Sequence, residues 1–172
     1  RWFSQGVPEF LRASTPYSQY PVLADLAALE KALNDAFDGK DGAIVTLAEF
    51  AAFAPETWKD LTFTAHPTAA RLALATTAAA IWRALKADET PPDAETMAEP
   101  VRILVWRQEN TPMFRELPAE EAMMWDEAAK GIPFGVLCSM LATYDDPGSA
   151  AARGAGYLHG WVTGGCLAGV ST

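Results

Sequence analysis

Any chemistry done by this chain would fall to a few residues: His66 and His159, Cys138 and Cys166, scattered serines, and the acids around Glu120. A metal site needs several such ligands at close spacing. The two histidines lie in different segments with no carboxylate or second ligand at that spacing, so no zinc or iron site is expected in the chain itself. Ser4, Ser14, Ser18, Ser139, Ser149 and Ser171 lack a glycine-flanked nucleophile elbow. Neither cysteine has a histidine nearby, so nucleophilic catalysis is unsupported. Gly154, Gly156, Gly160, Gly164, Gly165 and Gly169 fall within and after a helical segment rather than between a strand and a helix. That placement points to close helix packing instead of a phosphate cradle. Glu120, Glu121, Asp126 and Glu127 have the spacing of the solvated face of an amphipathic helix. The expectation is a protein without a catalytic constellation.

The elements that carry these residues are legible from periodicity. Residues 21–37 place Leu23, Leu26, Leu29, Leu33 and Phe37 three and four apart, with Pro21 suited to a first helical turn and Gly39 to a stop, which predicts a helix. Thr46 with Glu49 three residues later forms a capping box opening a short helix over 47–53. Alternation in 61–65 and 71–75 around His66-Pro67 predicts two strands joined by a turn. A helix follows over 78–86, with Ile81, Trp82 and Leu85 on one side. The acidic stretch 87–100, with Pro91-Pro92, reads as an exposed loop and the best boundary in the chain. It separates residues 1–90, a helical and strand part suited to docking a partner, from residues 100–172.

That second part holds two strand-like runs, 101–107 and 113–117, then helical segments at 118–130, 133–144 and 150–164 and a short apolar tail. A hairpin followed by three helices reads as a winged helix. The expected fold class is therefore α+β: a helical amino-terminal part, a small antiparallel sheet and a carboxy-terminal winged-helix unit. Such a unit holds either a nucleic acid in its helices or an extended peptide along its sheet edge.

Charge chooses between the two. Thirteen Lys and Arg against twenty-two Asp and Glu give 172 residues a net charge of −9, which repels phosphate backbones and anionic lipid. The expected recognition helix carries only Arg153 and no lysine. Cys138 and Cys166 read as small buried apolar residues rather than a disulfide framework. No apolar run approaches the roughly 20 residues needed to span a bilayer and there is no basic-then-apolar leader, so a cytoplasmic location is expected. The first residue is Arg1 rather than Met, which leaves room for an upstream segment.

An ordered set of short motifs covers nearly the whole chain. It comprises Val7-Pro8-Glu9-Phe10-Leu11, Leu23-Ala24-Asp25-Leu26 leading to Ala36-Phe37-Asp38, His66-Pro67 with Arg71-Leu72, Ile81-Trp82-Arg83-Ala84, Val105-Trp106-Arg107, and Gly131-Ile132-Pro133-Phe134 before Leu137-Cys138. In these motifs the chain resembles the HvfC/BufC family, which carries a DNA-binding label and includes the methanobactin-biosynthesis partner protein MbnC. Members typically have a further amino-terminal helical region, to which that label attaches and which this sequence lacks.

The resemblance implies a non-catalytic subunit paired with a multinuclear iron oxygenase-type enzyme of the TIM-barrel class. The pair would modify cysteines of a ribosomally made precursor peptide and yield a copper-binding product. The iron would sit in the partner enzyme; no cofactor is expected in this chain.

The order of hairpin and three helices is also similar to the PqqD-like winged helix, in which a leader peptide adds as a strand beside the last strand and against the third helix. Mapped here, the edge is Met113, Phe114, Arg115, Glu116 and Leu117, and the facing helix supplies Arg153, Tyr157 and Trp161. Ordinary surface charge for the two arginines, and core packing for Tyr157 and Trp161, are the plainer roles. Trp2, Phe3, Phe10, Tyr17 and Tyr20 form a candidate docking arm for the enzyme subunit, or else cover the protein's own core. The alternative function is a DNA-binding transcriptional regulator using 133–144 and 150–164.

Overall fold

The computed structural model describes residues 5–172, so Trp2 and Phe3 lie outside the described residues. Among the described residues the fold mixes helices with two small antiparallel sheets and contains no barrel. Helix α1 (Val7–Ala13) and a 3₁₀ turn (Tyr17–Gln19) form the arm, and α1 packs on α2 (Pro21–Asp38). Pro21 opens α2 at a position where its missing N–H costs nothing. Helix α3 (Leu47–Ala51) begins at Thr46 with both halves of the capping box formed.

Strands β2 (Ala70–Thr76), β3 (Thr96–Gln108) and β4 (Thr111–Glu116) make a three-stranded sheet in the order β2-β3-β4. Helix α4 (Ala78–Lys86) joins β2 to β3, and α5 (Ala119–Ala128), α6 (Phe134–Leu141) and α7 (Ala150–Thr163) follow β4. The middle strand is covered on both faces, which explains its continuous apolar run. Ile103 and Val105 pack with Leu29, Leu33 and Leu74 on the α2/α4 side. Leu104 and Trp106 pack with Met124, Leu137 and Trp161 on the side of α5 to α7. All three residues from Ile103 to Val105 have 0% exposure.

The expected pairing of 61–65 with 71–75 is not formed. Strand β1 (Thr62–Ala65) pairs instead with β5 (Leu167–Ser171), the segment read as an apolar tail, in the register Phe63↔Val170. The turn between β1 and β2 directs them apart. The buried His66 places Nδ1 2.8 Å from Thr68 Oγ1, and its backbone N–H donates to Cys166 O at 2.8 Å. Phe63 stacks on Phe50 and meets Phe134 edge-on, whereas Leu74 belongs to the α2 side, so each strand follows its own core.

Two further expectations are corrected. Both sheets draw strands from either side of the 87–95 loop, so residues 1–90 and 100–172 share their sheets. The loop itself ends earlier than read: β3 starts at Thr96, and Thr77 accepts the Glu95 N–H at 3.1 Å and donates to Asp93 O at 2.9 Å. The buried face of α2 is Ala24, Asp25, Leu29, Ala32, Leu33 and Ala36, while Leu23 and Phe37 are exposed. Alanines bring the helix close to the sheet, and Asp25 is buried because Thr76 Oγ1 donates to it at 3.0 Å.

Candidate functional site

Among the described residues strand β4 is bonded to β3 alone, leaving its outer edge unpaired. The Leu117 N–H donates to Arg102 O, which fixes the phase of the ladder: in β4 the backbone groups of Met113 and Arg115 turn toward β3 and those of Phe114 and Glu116 turn outward. Pro112 shares the outward phase but has no N–H to offer. Side chains alternate as well. Phe114 meets Trp82 edge-on at 5.3 Å and lies 4.6 Å from the Arg83 guanidinium, which in turn pairs with Glu116 at 2.7 Å. Met113 is 39% exposed, whereas Leu117 is buried and belongs to the core.

On the opposite face, Arg115 holds the Glu121 carboxylate with both terminal nitrogens, Nη1 at 2.9 Å and Nη2 closer still. Those bonds raise the arginine above its ordinary value. Among the described residues its Nε has no hydrogen-bond partner, and 37% of its side chain remains exposed. Glu121 is only 3% exposed and also accepts the Trp161 indole N–H at 2.8 Å. One residue earlier, Glu120 accepts from Arg153 Nε at 3.1 Å and from the Tyr157 hydroxyl. Burial first, then the bond to Glu120, push the Tyr157 phenol up to about 12.

The acids at 120 and 121 are therefore not the solvated face their spacing predicts. They begin α5 at its positive end and turn inward to partners on β4 and α7. Asp126 also has a cross-element partner, accepting from Arg71 Nε at 2.9 Å. The sequence clue was available: an arginine six residues ahead of Glu121, and an Arg-Tyr-Trp series at spacings of four on α7.

The selected residues separate into two groups. Met113, Phe114, Arg115 and Glu116 lie along an accessible strand. Trp161 has 0% exposure and packs edge-on against Trp125 at 5.0 Å, so its ring is a core element with no surface for a peptide. Arg153 engages every guanidinium nitrogen, reaching Leu141 O, Asp146 O and Ser149 Oγ besides Glu120, and so ties the end of α6 to α7. With 19% of its side chain exposed, that arginine is held within the fold. In the arm, Phe10, Tyr17 and Tyr20 are 57%, 42% and 59% exposed, so these three do not cover the core.

Cys166 is buried and its thiol is pushed up to about 12 by desolvation; burial also raises Cys138. Gly154 sits where a Cβ would come within 3.1 Å of Leu141, as close packing requires, but Gly156 and Gly160 meet nothing within 4 Å. Among the described residues no group of three or more His, Cys, Asp or Glu could hold a metal ion, and no helix is long and apolar enough to cross a membrane. A cavity of about 390 Å³ lies between α1, α2 and the other sheet edge, β2. No family model, curated protein or solved structure matches this chain.

Proposed function

We propose that this chain is a non-catalytic, peptide-reading partner subunit of a multinuclear iron enzyme. It would bind a cysteine-containing precursor peptide and present it for modification toward a copper-binding product. The observation that carries the reading is the unpaired edge of β4, where the outward N–H and C=O groups of Phe114 and Glu116 are available to an added strand. The hairpin and three following helices are read as a PqqD-like winged helix. Arg115 takes the role of edge cation, bonded to Glu121 and with 37% of its side chain exposed. Arg153, Tyr157 and Trp161 act behind it, holding the acids that orient β4 and α7.

The exposed aromatics Phe10, Tyr17 and Tyr20 are the proposed docking surface for the enzyme subunit, because a cluster of large apolar side chains left in water is a mark of an interface. A DNA-binding role for α6 and α7 gains no support from Arg153, whose guanidinium is fully engaged within the protein.

The test is co-purification of the untagged chain with the tagged iron enzyme encoded beside it, followed by titration of the neighbouring short Cys-containing peptide. A stable pair is expected, lost in Phe10→Ser/Tyr17→Ser/Tyr20→Ser, together with slowed hydrogen exchange at Phe114 and Glu116 when peptide binds. Absence of a complex, with salt-sensitive binding to duplex DNA, overturns the reading in favour of a regulator.

A further inference from the structure

Among the described residues the sheet has a second open edge, and its surroundings differ from those of β4. Because Arg102 turns its carbonyl toward β4, Ile103 and Val105 must turn theirs toward β2, where they face Leu72 and Ala70. The Arg107 N–H, in the same phase, donates to Thr68 Oγ1 at 3.2 Å, in agreement. The backbone N–H and C=O groups of Arg71 and Ala73 therefore point away from the sheet. They form a row of two donors and two acceptors repeating at about 7 Å, two residues of strand rise.

Edge strands are ordinarily blunted by proline, charge or an irregularity. On β4, Pro112 removes an outward donor and Arg115 and Glu116 add charge. On β2 the devices are the register shift beyond Leu74 and one charge, Arg71, which is drawn to Asp126 at 2.9 Å; the neighbouring edge positions are small, with Ala70 and Ala73 exposed.

Beside this edge runs the cavity of about 390 Å³, within the range of roughly 300–1,000 Å³ found for ligand sites. Its floor is α2, where Ala28 and Ala32 present methyl groups, and its far wall is α1 at Pro8 and Arg12. An unpaired strand edge thus faces a helix across an open groove. On β4, by contrast, Arg115 is held to Glu121, which also accepts the N–H of the buried Trp161 of α7.

We infer that the groove between β2 and α1/α2 is a strand-addition site for an extended, net-neutral peptide segment whose inward side chains are small. Peptide backbone is the occupant because it alone repeats donors and acceptors at the pitch that Arg71 and Ala73 present. Small side chains follow from the alanine floor.

Neutrality follows from the four charges lining the groove, the cations Arg12 and Lys31 and the anions Glu9 and Asp35; Lys31 and Asp35 pair with each other at 2.5 Å, and Arg12 also reaches the buried Asp25 at 3.5 Å. In a chain of net charge −9 this is a locally balanced surface. An acidic segment meets repulsion from the rest of the molecule, and a basic one finds no excess of anion here. This site goes beyond the β4 reading and does not depend on it.

The experiment selects from a displayed library of random cysteine-free dodecapeptides on the whole chain, then measures the enriched sequences as fluorescein-labelled synthetic peptides. Binding is expected to weaken at least tenfold in Ala28→Phe, which fills the floor, and to be unaffected by Gly156→Ala on α7, where a Cβ meets nothing within 4 Å. On the wild-type chain, the Arg71 and Ala73 amides are expected to exchange at least tenfold more slowly with peptide bound, a readout that no misfolded variant can mimic. No enrichment, unchanged affinity in Ala28→Phe, or protection only at Phe114 and Glu116 overturns the assignment. Concentration-dependent protection of Arg71 and Ala73 without peptide also overturns it, assigning the edge to a second copy. Groove-dependent binding of library peptides without binding of the encoded precursor would leave this site standing and remove the precursor-reading function.

Discussion

Glu121 and Trp161, forty residues apart, meet in a buried 2.8 Å hydrogen bond between carboxylate and indole N–H. Arg115 holds the same carboxylate from β4, so one acid joins the sheet edge to α5 and α7. An acid with 3% exposure is stable there only because its charge and both its oxygens are engaged.

Removing Arg115 leaves that charge buried without its partner. Arg115→Leu is expected to destabilise the fold toward the lower end of about 3–5 kcal/mol, because the arginine is itself 37% exposed. Arg83→Leu, which breaks a pair with Glu116 whose side chains are 46% and 50% exposed, is expected to cost less than about 1 kcal/mol. Urea unfolding midpoints compared at constant slope check this, and equal losses would refute the structural role of Glu121.

Two glycines of α7, one residue apart from being neighbours, are expected to respond with opposite signs. A Cβ at Gly154 would lie 3.1 Å from Leu141 Cδ1 and 3.3 Å from the Phe134 ring, so Gly154→Ala is expected to cost about 1–3 kcal/mol through overpacking. A Cβ at Gly156 meets nothing within 4 Å, and Gly156→Ala is expected to add about 0.5–1 kcal/mol through helix propensity. Thermal unfolding of the two variants decides, and a shared direction would contradict the placement of α7 on α6.

Alkaline pH is expected to unfold the protein through its buried acids. Burial raises Cys166 from 9.0 to about 12 and Tyr157 from 10.0 to about 12. A raised value means that above the ordinary pKa the folded state retains protons which the unfolded chain has released. Their stabilising contribution is therefore complete below pH 9 and is lost as pH rises from there toward 12. Melting temperatures measured from pH 8 to 11.5 should fall, and Cys166→Ala/Tyr157→Phe should flatten the slope. Cys166 is also expected to resist iodoacetamide at pH 8 until the protein unfolds.

Local signals accounted for most of the element list. The helix from Pro21, the capping box at Thr46 and Glu49, the β3–β4 hairpin and the three helices after it each depend on residues within a few positions of one another. Periodicity and capping act over that range, so they can be read along the chain. The strand read over Met113 to Leu117 forms for the same reason, ending at Glu116, with Leu117 buried in the core.

What spacing alone misread were matters of partner and burial. Alternation marks β1 and β2 as strands but is silent about their neighbours; Thr62 meets Ser171 across 109 residues because Phe63 belongs to one core and Leu74 to the other. The interval of residues on α5 suggested an outer acidic face, yet Glu120 and Glu121 turn inward because Arg115, Arg153, Tyr157 and Trp161 arrive from three-dimensional neighbours. The sequence by itself determined that the chain forms these helices and strands and carries no excess of cations for nucleic acid. Only the tertiary structure decided which acids are buried and which sheet edges remain open, since both depend on contacts between segments distant in the chain.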